Sequence, residues 1–205
     1  MLNKLKFLLL VILVEVVTLS SANAAFCSLR DPVSAIQMLY DDGYEFRSLV
    51  STITEEDRLT LKDKLSFTLH QSEVGQHTLY VLSKNNKHVG FLQARSEWAK
   101  WGLVEIAWAI NVDRSIKGFH YQRCRSPECN ENTIKNINAV LKDKSFSQLQ
   151  ALLSENGEEL SDEGKKAFQQ TPRLALLTLR SALKTLAITD ISWKGEIDKI
   201  THLEQ

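Results

Sequence analysis

Five histidines, three cysteines and two clusters of cationic side chains are the residues of this sequence whose chemistry could be put to work. The histidines are His70, His77, His88, His120 and His202, and no two stand at His-x-x-x-His or another metal-ligand spacing. Structural zinc takes four ligands, and only His120 lies near a cysteine pair, so no metal ligand is assigned. Gly-x-Ser-x-Gly, Walker and Gly-x-Gly-x-x-Gly motifs are all absent, which leaves hydrolase, P-loop and dinucleotide readings without support. The carboxylate pairs Glu55-Glu56 and Glu158-Glu159 are consecutive residues at expected helix starts or loops, where they serve the helix dipole or solvation. No catalytic residue is assigned.

The cationic clusters point to anion binding. Arg123 and Arg125 bracket Cys124, while Arg173, Arg180 and Lys184 share the polar side of a last helix with Thr178, Ser181 and Thr185. Arg180 and Lys184 are four apart and therefore neighbours on that helix. Guanidinium and hydroxyl groups so arranged could hold a phosphate, arginine offering two parallel donors. The plainer alternative is a solvated helix face. Cys27, Cys124 and Cys129 cannot all pair within one chain, and Cys124 can close on either Cys129 or Cys27.

These groups must be positioned by a fold, and the order of elements reads as α+β. Asp31-Pro32 opens a helix with an N-cap and a proline at its first position. Glu45 to Ile53 is an expected strand, and Thr54-Glu55-Glu56-Asp57 starts a short helix to about Leu65 with a capping box. From His77 the period becomes two. His77–Ser83 and His88–Ser96 flank Lys84-Asn85-Asn86-Lys87, and Leu103–Val112 and Ile116–Cys124 flank Asp113-Arg114-Ser115, giving two hairpins. In the third of these strands Val104, Ile106, Trp108, Ile110 and Val112 form a core face. Ala107 and Ala109 leave a shallow surface on the other side, fit for a helix or for a flat aromatic ring. Helices follow over 132–142 and 145–153, then a long one from Pro172 to about Ala187, with a last strand over Ile188–Trp193. The expectation is a single domain over 25–195, an antiparallel sheet flanked by helices, with a C-terminal tail over 196–205.

Composition agrees. The 205 residues include 25 Lys+Arg and 25 Asp+Glu, 43 % are hydrophobic and 24 % charged, as in an ordinary folded domain. With no excess of positive charge, nucleic-acid binding is not expected. Lys4 and Lys6, the apolar run Phe7–Val14 and Ala22-x-Ala24 read as a signal peptide over 1–24, cleaved before Ala25. Glu15 interrupts the run before it is long enough to span a bilayer, so no transmembrane segment is expected in the mature chain. The expected location is periplasmic, where a disulfide at Cys124 is stable.

Three segments carry a family resemblance. Lys87-His88-Val89-Gly90-Phe91, Trp101-Gly102-Leu103-Val104-Glu105-Ile106 and Ile110–Phe119, with its Asp113-x-x-Ile116-Lys117-Gly118, resemble the FMN-binding domain. That domain occurs in flavoprotein subunits of membrane ion-pumping redox complexes and in related periplasmic regulators. Arg125-Ser126-Pro127-Glu128 stands where the family has an acidic-Thr-Pro-Gly loop. Gln169-Gln170-Thr171-Pro172 stands where its flavin-carrying Gly-Ala-Thr motif falls. The resemblance covers about half the chain, from Thr78 to Ala187, and implies FMN as cofactor. The missing Gly and Ala, with Pro172 directly after Thr171, imply that FMN is held non-covalently. Its phosphate is expected near Thr171 and Arg173, at the N-terminus of the last helix, with Arg125 and Ser126 in the loop contributing. Its ring is expected on Ala107 and Ala109. The implied role is assistance of electron transfer at the membrane, with a membrane redox complex or another periplasmic protein as partner. The alternative is a cofactor-free periplasmic accessory protein acting through a partner.

The cysteine reading has a direct check. Thiol counting under denaturing, non-reducing conditions is expected to find one free thiol per chain, and three would overturn the disulfide.

Overall fold

Local signals start most of the elements. The Asp31 carboxylate accepts the Val33 N–H at 3.0 Å and Pro32 opens helix α1 (Pro32–Tyr40). Strand β1 (Glu45–Ile53) leads into a reciprocal capping box, in which Asp57 N–H donates to Thr54 Oγ1 at 3.1 Å and Thr54 N–H to Asp57 Oδ2 at 2.8 Å. That box starts helix α2 (Glu55–Leu65). A one-turn 3₁₀ helix (Gln71–Glu73) precedes strand β2 (Gly75–Lys84). Asn85 and Asn86 then take φ of 53° and 62°, left-handed values that asparagine tolerates, and turn the chain into β3 (Lys87–Ala99). Strands β4 (Gly102–Ile110) and β5 (Ile116–Arg123) complete an antiparallel meander in the order β1-β2-β3-β4-β5. Helices α3 (Glu131–Leu141), α4 (Phe146–Gln150), α5 (Asp162–Ala167) and α6 (Pro172–His202) follow. The computed structural model describes residues 29–169 and 171–202, so the expected signal segment and Cys27 lie outside the described residues. Among those described, no helix is long and apolar enough to cross a membrane.

The sheet has two unlike faces. Its inner face carries Leu79, Val81, Phe91, Val104, Ile106, Trp108, Ile110, Phe119 and Tyr121, all buried against a core that includes Leu174, Leu179, Leu183 and Leu186 of α6. Trp108 Nε1 donates to Ser181 Oγ at 3.1 Å, fixing β4 to α6. Among the described residues, the outer face is covered by α1, through a small cluster of Ala35, Ile36, Tyr40, Leu82, Leu92, Ala107 and Ala109. The α+β reading and the hairpins stand as expected, as do the two faces of β4 up to Ile110; Val112, expected on its core face, lies in the turn beyond the strand.

One expectation at the C-terminal end is corrected. Ile188–Trp193 is not a strand but part of α6, which runs unbroken to His202. Ile188, Trp193, Ile197 and Ile200 are all buried, and their spacing fits a helix face rather than alternation. The β-branched Ile188 and Ile191 suggest a strand locally, but helical burial against the core outweighs that propensity. The disulfide joins Cys124 to Cys129, with 6.2 Å between the Cα atoms, directly after β5.

Gly90 is a position where the outer face needs a missing side chain. Its φ is 152°, and an added Cβ would stand 2.5 Å from the Ile110 carbonyl oxygen and 2.6 Å from the Tyr40 hydroxyl. That hydroxyl lies 2.9 Å from the carbonyl oxygens of both Phe91 and Ile110 and shares its proton between them. Gly90→Ala is therefore expected to destabilise the protein by about 2 kcal/mol or more, read from urea unfolding. A change within about 0.5 kcal/mol would show that α1 gives way freely.

Candidate functional site

Polar residues at core positions mark the site. On β3 the inward positions read Phe91, Gln93, Arg95 and Glu97, so the apolar alternation stops halfway along the strand. Arg95 is fully buried and pairs with Glu73 of the 3₁₀ turn, itself buried. Lys184 of α6 reaches the same group, donating to Glu73 Oε2 at 3.0 Å and to Glu97 Oε2 at 2.7 Å. The His70 N–H also donates to Glu73 Oε2, at 2.8 Å. His77 closes the network: its Nε2 lies 2.7 Å from the Glu73 carbonyl oxygen and its Nδ1 lies 3.4 Å from Arg95 Nη1. Since a carbonyl only accepts and a guanidinium only donates, Nε2 carries the proton and the ring is neutral.

The electrostatics follow from burial and neighbours. Burial works to raise the Glu73 carboxyl, but the charges of Arg95 and Lys184 outweigh it and hold the group below the ordinary range. Burial, and then the adjacent Arg95, push His77 down to about 4.

Above this network opens a cleft of about 600 Å³ between α2, the 68–73 segment, the end of β3 and α6. Leu69, Leu176 and Leu177 give it apolar walls, and Trp98, 60 % exposed, stands at it with its ring 6.4 Å from that of His70. Three cations line it. Arg58 is held by Glu55, its Nε donating at 2.8 Å and 2.9 Å, and Lys184 by its two glutamates. Arg180 differs. Its guanidinium lies 4.4 Å from the centre of the Phe67 ring and has no carboxylate partner among the described residues. Glu73 and Glu97 balance Arg95 and Lys184, so the uncompensated charge of the cleft resides on Arg180.

The residues singled out in the sequence are not gathered in one place. Ala107 and Ala109 are fully buried beneath α1, so the helix, rather than a flat ring, occupies that surface. Thr171 directly precedes α6 and Arg173 lies in its first turn, on the opposite face of the sheet. Thr171 lines a separate hollow with Ile137, Val140 and Phe168, and Arg173 is exposed. Arg125 is exposed in the disulfide loop, where the buried Ser126 uses its Oγ to accept the Glu128 N–H at 3.1 Å. A ligand with its phosphate at Thr171 could not lay its ring on Ala107 without passing through the sheet. The expected polar side of the last helix is also corrected. Thr178, Ser181, Thr185 and Lys184 are buried, and the three hydroxyls bond Tyr121, Trp108 and the α6 main chain.

Sequence reasoning passed over Glu73, Arg95 and Glu97. The available signal was the arginine and glutamate standing where β3 requires apolar residues. Compared with family models, with the curated proteins and with the solved structures, the chain matches none.

The neutral His77 makes stability depend on pH. Between pH 6.5 and about 4 the unfolded chain takes up a proton at this histidine that the folded chain refuses. Stability is therefore expected to fall as pH drops through that window. Urea midpoints at pH 7 and pH 5 should differ less for His77→Gln than for the wild type, and an equal fall would exclude His77 as a source.

Proposed function

We propose that this chain is an exported, periplasmic binding protein of the FMN-binding-domain type, which holds an anionic ligand with a flat ring non-covalently. The observation that carries the reading is Arg180, a guanidinium stacked on Phe67 and, among the described residues, without a carboxylate partner, in the cleft that Trp98 and the leucines line. A phosphate there meets a preset bidentate donor, and a ring meets apolar walls and an exposed indole. FMN is the ligand the resemblance implies, in support of electron transfer by a membrane redox complex. Export rests on the Lys4–Ala24 pattern. The filled surface over Ala107 and Ala109 favours the second reading, a cofactor-free accessory protein acting through a protein partner.

Titration of FMN with the mature protein separates the two. The flavin reading expects quenching of its fluorescence, with Arg180→Ala weakening binding about tenfold or more, since a charge-assisted phosphate contact is worth roughly 1.5–3 kcal/mol. Loss in Arg173→Ala with Arg180→Ala unchanged would move the phosphate to the start of α6. No quenching at excess FMN would remove the flavin reading.

A further inference from the structure

Two atoms of the charged network have bonding capacity to spare, and both belong to side chains that line the cleft. Glu97 uses one carboxylate oxygen only. Its Oε2 accepts from Lys184 at 2.7 Å, while Oε1 is shielded from water and has no hydrogen-bond partner among the described residues. A carboxylate oxygen buried without a donor is costly, so such an atom calls for a partner. Lys184 has the opposite surplus. Its ammonium carries three N–H donors, and among the described residues Glu73 and Glu97 take two of them, at 3.0 Å and 2.7 Å. Both side chains stay in touch with the cleft, 9 % of Glu97 and 8 % of Lys184 being exposed. The last torsion of a glutamate is broad, so a small turn presents Oε1 to the cleft while Oε2 keeps Lys184.

An acceptor beside a donor is the complement of a ring amide, in which an N–H stands next to a C=O. Charge sets a second condition. Glu73 and Glu97 already balance Arg95 and Lys184, so a cationic donor would leave the buried group with excess positive charge, whereas a neutral N–H would not. A phosphate cannot take this place either, because it brings only acceptors to Glu97. Its place is at Arg180, one turn of α6 away.

We infer that the cleft reads the amide edge of its ligand's ring, with Glu97 Oε1 accepting the ring N–H and Lys184 donating to the adjacent carbonyl. The inference rests on the reading of this cleft as the site of an anionic, flat-ringed ligand, and it narrows that ligand to cyclic imides and lactams. In FMN the edge is the imide N3–H with its flanking carbonyls, and the phosphate goes to Arg180.

Fluorescence titrations of the mature protein with FMN and with 3-methyl-FMN, in which a methyl group replaces the imide proton, test this. The wild type is expected to bind FMN about tenfold or more tighter than 3-methyl-FMN. Glu97→Gln keeps the size of the side chain and, through its amide oxygen, the bond from Lys184, but sets an amide NH2 where Oε1 stood. There the preference should shrink to within about threefold, with FMN the ligand that is weakened. Arg180→Ala should weaken both flavins alike and leave the preference intact. Circular dichroism verifies folding of the variants, and the comparison of the two flavins on the wild type needs no variant at all. Equal affinity of the wild type for both flavins, or a preference that survives in Glu97→Gln, would overturn the inference while the flavin reading stands. No quenching of either flavin would overturn both.

Discussion

Arg95 has no access to solvent, and its charge can stay in the interior only because Glu73 is brought to it. Removing two such charges from water costs several kcal/mol per ion, repaid only where the geometry satisfies both. That constraint reaches across the fold. Glu73 must be presented by the 3₁₀ turn before β2, Arg95 by the middle of β3, and Lys184 by the centre of α6. Three segments distant in sequence are thus held in one register, and the inner hydrophobic layer packs around that fixed point. Hydrophobic burial alone would leave α6 freer to slide along the sheet.

The same constraint shapes the cleft. Because the glutamates are committed to Arg95 and Lys184, neither is free to neutralise Arg180 one turn away. A balanced network beneath an unbalanced arginine is a stable way to keep one positive charge available, since stacking on Phe67 orients the guanidinium without consuming its donors. The charged groups of the cleft floor are bound mainly to one another.

The parts of this architecture that were legible in the sequence are those governed by neighbours along the chain. Asp31 before Pro32, Thr54 three residues before Asp57, and Asn85-Asn86 between two alternating runs each specify their structure through hydrogen bonds or backbone angles a few residues apart. Alternation along β4 separated Trp108 from Ala107 and Ala109 correctly, because a strand's two faces are encoded residue by residue. What covers a face is not encoded there. Whether α1 or a ligand lies on Ala107 depends on a helix some seventy residues away, and Ile188 is helical against its local strand propensity because burial around α6 is a long-range property. The charged pairs were least accessible. Lys184 looks like a solvated helix residue until Glu73 and Glu97 are seen beside it.

The unequal faces of the sheet also imply unequal cooperativity. The inner layer unites five strands with most of the helical mass, whereas α1 is held by the smaller cluster of Ala35, Ile36 and Tyr40 on Leu82, Leu92, Ala107 and Ala109, with the Tyr40 hydroxyl bonded to the sheet. The exposed pair of Arg30 with Glu105 at its N-terminal end adds little in water. Segments so anchored open locally at a fraction of the cost of global unfolding. With α1 lifted, the strip of Ala107 and Ala109 meets water while the inner layer remains intact. Anything flat that settles on that strip must select this opened population, and its apparent affinity is reduced by the fraction of molecules that are open.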